Sequence, residues 1–200
     1  MATKARKNKY DKYIISGQQP GDPPASGVKV AWVNNEKFKG SHQYHVHWVF
    51  ESPRNLPKNS KAKGWGDMGH GPHEHKQPEA VIHIGTDPYH PMDLGCEVWF
   101  YLGKEKELHK ITKSCMVYLP AGFIHSPWVI HKVTRPFVIV TVMQEELHTE
   151  LSHPEILTEE ENKKMMYIDQ GYKNMERKIT LPPGFDEMWQ KSQSKKKTKT

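Results

Sequence analysis

Metal-binding side chains are concentrated in residues 69–85 of this 200-residue chain. His73, His75 and Glu79 are spaced H-x-H-x-x-x-E, and in an extended strand these three positions share one face because side chains alternate. Imidazoles and carboxylates are ligands that first-row divalent metals accept from proteins. A third imidazole, from His125, would leave one or two coordination positions for water or substrate. The spacing therefore predicts an open metal site.

The elements that must position these residues are short strands. Apolar, β-branched and aromatic residues occur in short runs bounded by Gly, Pro, Asp and Lys, with no helix-period stretch among them. This pattern predicts an all-β sandwich or barrel. The predicted strands are residues 28–33, 43–50, 79–84, 97–102, 107–111, 116–119, 128–131 and 137–143.

Two motifs resemble those of the cupin superfamily, in particular a group of small cupin-domain proteins of poorly defined activity. The first cupin motif places a glutamate and a glycine after a histidine pair, and the second is P-x-G-x-x-H. The resemblance covers residues 10–143 and implies a cupin-type double-stranded β-helix, a jelly-roll barrel. The matching residues are His73, His75, Glu79 and Gly85 in the first motif, and Pro120, Gly122 and His125 in the second.

The chain departs from the cupin pattern outside the four ligand positions. The first motif is one residue short of the common glycine spacing, Ser114 replaces a glycine, and Val129 replaces a frequent asparagine. Such positions serve turns and contacts around the ligands. The long connection at residues 85–97 is expected to form a lid or rim loop at the mouth of the site.

A rival set with the same spacing is His45, His47 and Glu51. It has no glycine turn at the cupin distance, and its two histidines lie in a continuous apolar strand pattern. We therefore favour the set at 73, 75 and 79 as the primary site. For the 45/47 pair the expectation is that its side chains face the opposite sheet or solvent.

The resemblance implies one divalent transition metal per chain, with iron favoured and manganese, nickel, copper or zinc as alternatives. Cupins include oxygenases, isomerases, decarboxylases, lyases and proteins without catalytic activity, and the fold does not choose among them. We expect a metal-dependent enzyme acting on a small organic substrate that coordinates the metal, with dioxygenase activity favoured and lyase or isomerase activity next. The alternative is a non-catalytic module that binds a small ligand or metal. No catalytic residue beyond the ligands is assigned.

Candidate substrate-pocket residues follow from strand parity. His83 shares parity with Glu79, and an aromatic-lined pocket beside a metal is a common substrate wall. Plain core packing explains the aromatic residues equally well. The candidates are His83, Glu97, Trp99, Tyr101, Phe123 and Trp128.

Composition indicates one domain with extensions. Residues 1–26 are expected to form a basic arm with an anchoring segment at 10–15, residues 27–145 the barrel, and residues 146–200 an extension with one short helix capped by Thr158 and a disordered lysine-rich tail. The net charge of +6 comes from basic residues at both ends, a pattern typical of solvated tails that does not favour nucleic-acid binding.

Cys96 and Cys115 are the two cysteines, a number that predicts free core thiols in a reducing compartment. No run reaches the length of a membrane span and no signal peptide is evident, so a cytoplasmic protein is expected. Cupins commonly pair through sheet edges, so the resemblance also implies a homodimer.

Overall fold

The computed structural model describes residues 9–17, 28–49, 69–173 and 176–183. Five strands form the first of two sheets: β1 (Val28–Val33), β2 (Gln43–Val49), β5 (Glu79–Ile84), β8 (Cys115–Leu119) and β10 (Phe137–Met143). Their spatial order is β1, β2, β10, β5, β8, and every neighbouring pair is antiparallel. Strand β8 is thus one edge of this sheet.

Eight strands form the second sheet. They are β3 (Gly69–His70), β4 (His73–Glu74), β6 (Asp93–Leu102), β7 (Glu107–Lys113), β9 (His125–Val133), β11 (Leu151–Ser152), β12 (Met165–Asp169) and β13 (Lys178–Thr180). Strand β9 pairs with β6 on one side and with β3 and β4 on the other. Beyond them, β12 pairs with β3 in parallel and β11 pairs with β4.

The hydrophobic core lies between the two sheets. Val98 and Phe100 on β6 are almost completely buried, while the residues that alternate with them are only partly buried. The facing sheet contributes Phe137 and Leu119, which are also almost completely buried. This packing of two curved sheets around one core confirms the predicted all-β jelly-roll barrel.

Three predicted strands, 28–33, 79–84 and 137–143, have the observed bounds, but β6 and β9 begin earlier than predicted. The additional residues at the start of β6 contain a bulge at Gly95, which has a φ of +69°. The amides of Thr134 and Arg135 both donate to the Gly95 carbonyl oxygen at 2.9 Å. A bulged segment of this kind interrupts the alternation on which strand prediction depends.

The segment after residue 145 is part of the second sheet and not an outer extension. Strands β11 and β12 hydrogen-bond to β4 and β3, so the predicted boundary at 145 does not mark the end of the barrel. The predicted short helix is present as α1 (Glu159–Asn162), where Thr158 and Glu161 form a capping box. The predicted disordered tail at 191–200 lies outside the described residues, as do residues 1–8.

The anchoring segment at 10–15 contains a 3-10 helix at Asp11–Tyr13. The Tyr13 ring stacks on Phe38 with centroids 5.8 Å apart, so the segment packs against its own chain at this point. The Gly17 amide then donates to the Val30 carbonyl oxygen at 2.8 Å. Tyr10 and Ile14 point outward and remain exposed.

Both cysteines are free, as predicted. Cys96 is buried in the core, where burial raises the pKa of its thiol to about 12, with a smaller contribution from the Glu97 carboxylate. Among the residues that the structure describes, no helix has the length and apolar character needed to cross a membrane.

Candidate metal centre

The four candidate ligands lie on different elements and not on one strand face. The chain turns at residues 75–78, between β4 and β5, so His73 and Glu79 belong to different sheets. The prediction that residues 73, 75 and 79 share one face of an extended strand is therefore wrong. Backbone pairing brings them together instead: His73 lies opposite His125 across β4 and β9, and the Gly122 amide donates to the His75 carbonyl oxygen at 2.8 Å.

The candidate ligands form one buried cluster. One potential ligand atom from each residue lies within 4.8 Å of those from the other three. Glu79 Oε2 is 3.0 Å from His125 Nε2 and 3.3 Å from His75 Nε2. The exposed fractions are 4% for His73, 4% for His75, 6% for Glu79 and 3% for His125. Bulk water therefore has little access to the cluster.

Each imidazole directs its Nδ1 nitrogen at a backbone carbonyl oxygen. A carbonyl oxygen only accepts, so in the neutral ring Nδ1 carries the proton and the Nε2 lone pair points into the cluster. This is the tautomer in which a histidine binds metal through Nε2. The pairs are His73 Nδ1 with Gly71 O at 2.7 Å, His125 Nδ1 with Phe123 O at 3.1 Å, and His75 Nδ1 with Thr149 O.

The ionised Glu79 carboxylate is stabilised by one positive charge beside it. Burial opposes ionisation of Glu79, but His75 and His125 hold the pKa of its carboxyl group well below the usual range. Burial also opposes a charge on His75, yet the Glu79 carboxylate raises the pKa of that imidazole to about 9. A proton on His75 and a metal cation are two ways of supplying the same charge.

The donor set fits the metal ion that the resemblance implies. With the Nδ1 nitrogens protonated, Glu79 Oε2 faces the lone pairs of His75 and His125, and it has no hydrogen-bond partner within the described part of the chain. A buried carboxylate oxygen surrounded by lone pairs is unfavourable unless a cation lies among them. Three neutral imidazoles and one carboxylate are ligands that a first-row divalent cation accepts.

The two motifs thus meet inside a two-sheet barrel. The first runs from β4 to the start of β5, and the second ends at the start of β9. This is the arrangement that the resemblance of the two motifs implies. The sequence of this chain matches no family model and no curated protein.

Solved structures resemble this chain at low sequence identity. A Klebsiella pneumoniae protein with a double-stranded beta-helix domain is 13% identical, with 76% of this chain and 94% of that chain covered and a TM-score of 0.39. An oxalate oxidase is 10% identical, with 69% of this chain and 60% of that chain covered and a TM-score of 0.41. A mutant oxalate decarboxylase from Bacillus subtilis is 13% identical, with 70% of this chain and 32% of that chain covered and a TM-score of 0.40, so this chain spans about a third of that protein.

A second polar layer lies behind the candidate ligands. Glu150 is 1% exposed and accepts hydrogen bonds from His70 Nε2 at 2.6 Å and His148 Nε2 at 3.0 Å. The His70 ring stacks on His73 with centroids 4.0 Å apart, and the His148 ring packs against His75 with centroids 5.5 Å apart. Burial opposes a charge on Glu150, but His70 and His73 hold the pKa of its carboxyl group well below the usual range.

Sequence reasoning missed this layer. It gave no functional role to His70, His148 or Glu150. Glu150 reaches the site because its backbone pairs with that of Gln170. It directly precedes β11, the strand that pairs with β4. Nothing in the local spacing of residues 145–150 indicates that they pack against residues 73–75, which precede them by more than 70 positions.

The cluster opens onto a cavity of about 440 Å³, within the range of small-molecule sites. Polar residues of β1 and β2 line the part of the cavity that lies across β10 from Glu79: Lys29, His45 and His47. Apolar side chains lie between the two polar regions, among them Val81, Phe100, Trp128, Ile139 and Met143.

Of the six predicted pocket residues, only Trp128 lines this cavity. Glu97, Trp99 and Tyr101 lie on the opposite face of β6, where the Trp99 ring stacks on His131 with centroids 4.2 Å apart. Phe123 is 37% exposed outside the cavity. These three residues share one face of β6, as predicted, but Val98 and Phe100 take the inner face, so the shared face is not a wall of the cavity.

His83 is buried beneath the cavity and does not line it. The Trp128 indole Nε1 donates to His83 Nε2 at 2.9 Å. Burial lowers the pKa of His83 to about 4, so the ring is a neutral acceptor that fixes the indole above it. His83 therefore lies behind Trp128 and outside the cavity lining.

The expected lid is absent from residues 85–97. None of these residues lines the cavity, and their loop is fixed at the other end of β5, where Arg135 Nη2 bonds Asp93 Oδ2 at 2.9 Å and the Gly85 amide donates to Ser114 Oγ at 2.9 Å. Both side chains of the 45/47 pair face the cavity and so the opposite sheet, which is one of the two expected orientations. Glu51, the third member of that rival set, lies outside the described residues.

Proposed function

We propose that this chain is a metal-dependent enzyme of the cupin type that acts on a small organic, oxygen-bearing substrate. His73, His75, Glu79 and His125 would hold one divalent first-row metal, with iron favoured over manganese, nickel, copper or zinc. The observation that carries the proposal is the convergence of three Nε2 lone pairs and an unpartnered carboxylate oxygen beside a cavity of about 440 Å³.

A metal held by these four groups keeps a net positive charge and an exchangeable position, and so polarises or activates an oxygen-bearing ligand. The chain's own contribution is to orient that ligand and to restrict water. Phe100, Val81 and Ile139 supply apolar walls, and the Trp128 ring is held in place by His83. Dioxygenase chemistry is the favoured reaction, and a non-oxidative lyase or isomerase reaction is the next choice.

The second candidate function is a non-catalytic module that binds a small ligand or a metal. The observation in its favour concerns Glu150, a deeply buried carboxylate that lines the cavity and is not one of the four candidate ligands. It is bonded to both His70 and His148 and so is not available as a free general base. Ligand binding without turnover in aerobic and anaerobic screens would support this function.

Elemental analysis of protein purified without chelator tests the metal proposal. We expect close to one first-row metal per chain in the wild type and loss of most of it in His75→Ala. His109→Ala is the matched control, because His109 is an exposed histidine on β7 and its removal should leave the metal content unchanged. Metal that persists in His75→Ala would contradict the assignment of ligands. A dioxygen-dependent change in the absorption spectrum then separates oxygenase from lyase chemistry.

We also propose a homodimer in a reducing, cytoplasmic environment. The outer face of the first sheet exposes large apolar side chains near its β8 edge: Met116 is 60% exposed, Tyr118 56% and Ile84 42%. Exposed apolar surface next to a strand edge is a typical dimer contact. Light scattering should give twice the chain mass for the wild type and the chain mass for Tyr118→Glu. A monomeric wild type would overturn the dimer.

A further inference from the structure

His75 differs from the other two candidate imidazole ligands in the group that orients it. For His73 and His125, the carbonyl oxygen that faces Nδ1 belongs to the residue two positions earlier in the chain. His75 lies in the turn before β5, and its Nδ1 faces the carbonyl oxygen of Thr149, which is 74 positions away. The orientation of His75 therefore depends on a distant loop, whereas the other two rings are oriented locally.

This loop, residues 144–150, connects β10 to β11 and lies against the turn before β5. At its start, the Gln144 amide donates to the Pro78 carbonyl oxygen at 2.9 Å. Near its end, the Lys76 amide donates to Thr149 Oγ1 at 3.0 Å. The loop is therefore hydrogen-bonded to the turn near both of its ends.

A buried carboxylate holds Thr149 within the loop. Glu145 is 5% exposed, and its Oε1 accepts from the Thr149 amide at 2.8 Å while its Oε2 accepts from Thr149 Oγ1. Gln43 Nε2 lies 3.4 Å from Oε1, and His148 Nδ1 lies 3.6 Å from it. Glu145 thus bonds both the backbone and the side chain of the residue whose carbonyl oxygen faces His75.

The peptide group that carries this carbonyl oxygen is fixed from the following residues as well. The Glu150 amide, which belongs to the same peptide plane, donates to the Gln170 carbonyl oxygen at 2.8 Å. Gly171 has a φ of +74°, and a Cβ atom there would lie 2.8 Å from Thr149 Cγ2. With its own amide on Glu145 and the next amide on Gln170, Thr149 has little freedom to turn its carbonyl oxygen away from His75.

We infer that Glu145 is a positioning residue of the candidate metal centre and acts through Thr149 to orient His75. Resting on the proposed function, this contact keeps His75 Nε2 directed at the metal position. If the carbonyl oxygen of Thr149 turned away, the Nδ1 proton would lose its acceptor and the ring could rotate about its Cβ–Cγ bond. Loss of Glu145 should therefore disturb one of the three imidazoles and leave the other two in place.

Exchange of the Nδ1 protons with water reports this role ring by ring. The protein is loaded with Zn²⁺, which is diamagnetic, and the three Nδ1 protons are followed by ¹⁵N–¹H NMR. In Glu145→Gln we expect about tenfold faster exchange at His75 and unchanged exchange at His73 and His125, because an amide cannot accept from Thr149 at both of its terminal atoms. Metal affinity, measured by chelator competition, should fall about tenfold. Unchanged exchange at His75, or equal acceleration in all three rings, would overturn the role.

Variants of the same loop supply the controls. Glu146→Gln is the matched control, because Glu146 is the next residue and an exposed carboxylate, and it should match the wild type in both measurements. If Glu145→Gln does not fold, Thr149→Val gives the same test, since it keeps the branched side chain and the carbonyl group but removes the hydroxyl. Thr149→Ser keeps the hydroxyl and should stay near the wild type. Exchange at His75 as slow in Thr149→Val as in Thr149→Ser would contradict the link through Thr149.

The exchange measurement also separates this inference from the metal proposal. It can be repeated on metal-free protein, because the Thr149 carbonyl oxygen faces His75 Nδ1 whether or not a metal is bound. A wild type that binds no metal, with exchange at His75 still accelerated selectively in Glu145→Gln, would refute the metal proposal alone. Full metal binding with unchanged exchange at His75 in Glu145→Gln would refute the positioning role alone.

Discussion

Individual side chains set the preference of the candidate site for a cation. The backbone carbonyls of Gly71, Thr149 and Phe123 fix the Nδ1 proton of each candidate imidazole and leave the Nε2 lone pairs around Glu79 Oε2. A motif in the sequence specifies which residues meet, but their hydrogen-bond partners specify which ring nitrogen faces inward. Behind these rings, Glu150 holds His70 and His148 against His73 and His75.

Glu150→Gln should weaken metal binding although Glu150 is not one of the four candidate ligands. The substitution keeps the side chain's shape but removes the charge that fixes His70 and His148, and changes behind metal ligands typically cost about 10–100-fold in affinity. Competition with a chromophoric chelator measures the effect. Glu74→Gln is the control, because Glu74 is a β4 carboxylate that contacts His153 away from the cluster. Equal affinities in the two variants would show that Glu150 does not support the site.

At the scale of strands, short connections between the sheets bring the ligands together. Gly71 links β3 and β4, and its amide donates to the Met166 carbonyl oxygen of β12 at 2.9 Å. A Cβ atom there would lie 2.0 Å from Cε1 of the Tyr167 ring, which is buried. The strand pair that carries His73 therefore depends on close approach of β12, an element that lies almost 100 residues further along the chain.

Gly71→Ala should separate β12 from β3 and loosen the candidate site. The methyl group cannot be accommodated without moving Tyr167, so we expect a loss of about 1–3 kcal/mol in the free energy of unfolding and weaker metal binding. Urea denaturation and the same chelator competition measure the two effects. Gly69→Ala is the control, because its Cβ would meet the flexible end of Met165 at 3.1 Å. A loss of stability in Gly69→Ala as large as that in Gly71→Ala would contradict the role of the Tyr167 contact.

The sequence predicted what depends on local spacing and missed what depends on distant pairing. Strands 28–33, 79–84 and 137–143 were predicted with the observed bounds because turn residues bracket clear apolar runs. The four residues of the candidate cluster were found because the two motifs have fixed internal spacings. The burial of Lys29 was not predicted, since a lysine in a strand normally indicates a solvent-facing position.

At the scale of the whole molecule, the barrel encloses histidines whose pKa values are well below the ordinary value. The pKa is lowered to about 2 for His45, about 3 for His47 and about 4 for His83, in each case mainly by burial. In the unfolded chain these rings titrate near their ordinary value of about 6.5. Between about pH 6.5 and 4.5 the unfolded state therefore binds more protons than the folded state.

The free energy of unfolding should fall as the pH falls through this window, by up to about 1.4 kcal/mol per pH unit for each of the three rings. His83→Gln isolates one of them, because a glutamine carbonyl can still accept the Trp128 indole proton but does not titrate. Urea denaturation at several pH values should give a slope that is smaller by about one ring's contribution in this variant. The buried carboxylates of Glu79 and Glu150 do not contribute to the slope in this pH window. Their pKa values are lowered below the ordinary range, so they titrate at more acidic pH. An unchanged slope in His83→Gln would mean that His83 is protonated in the folded barrel, and the indole above it could not then be held by a neutral ring.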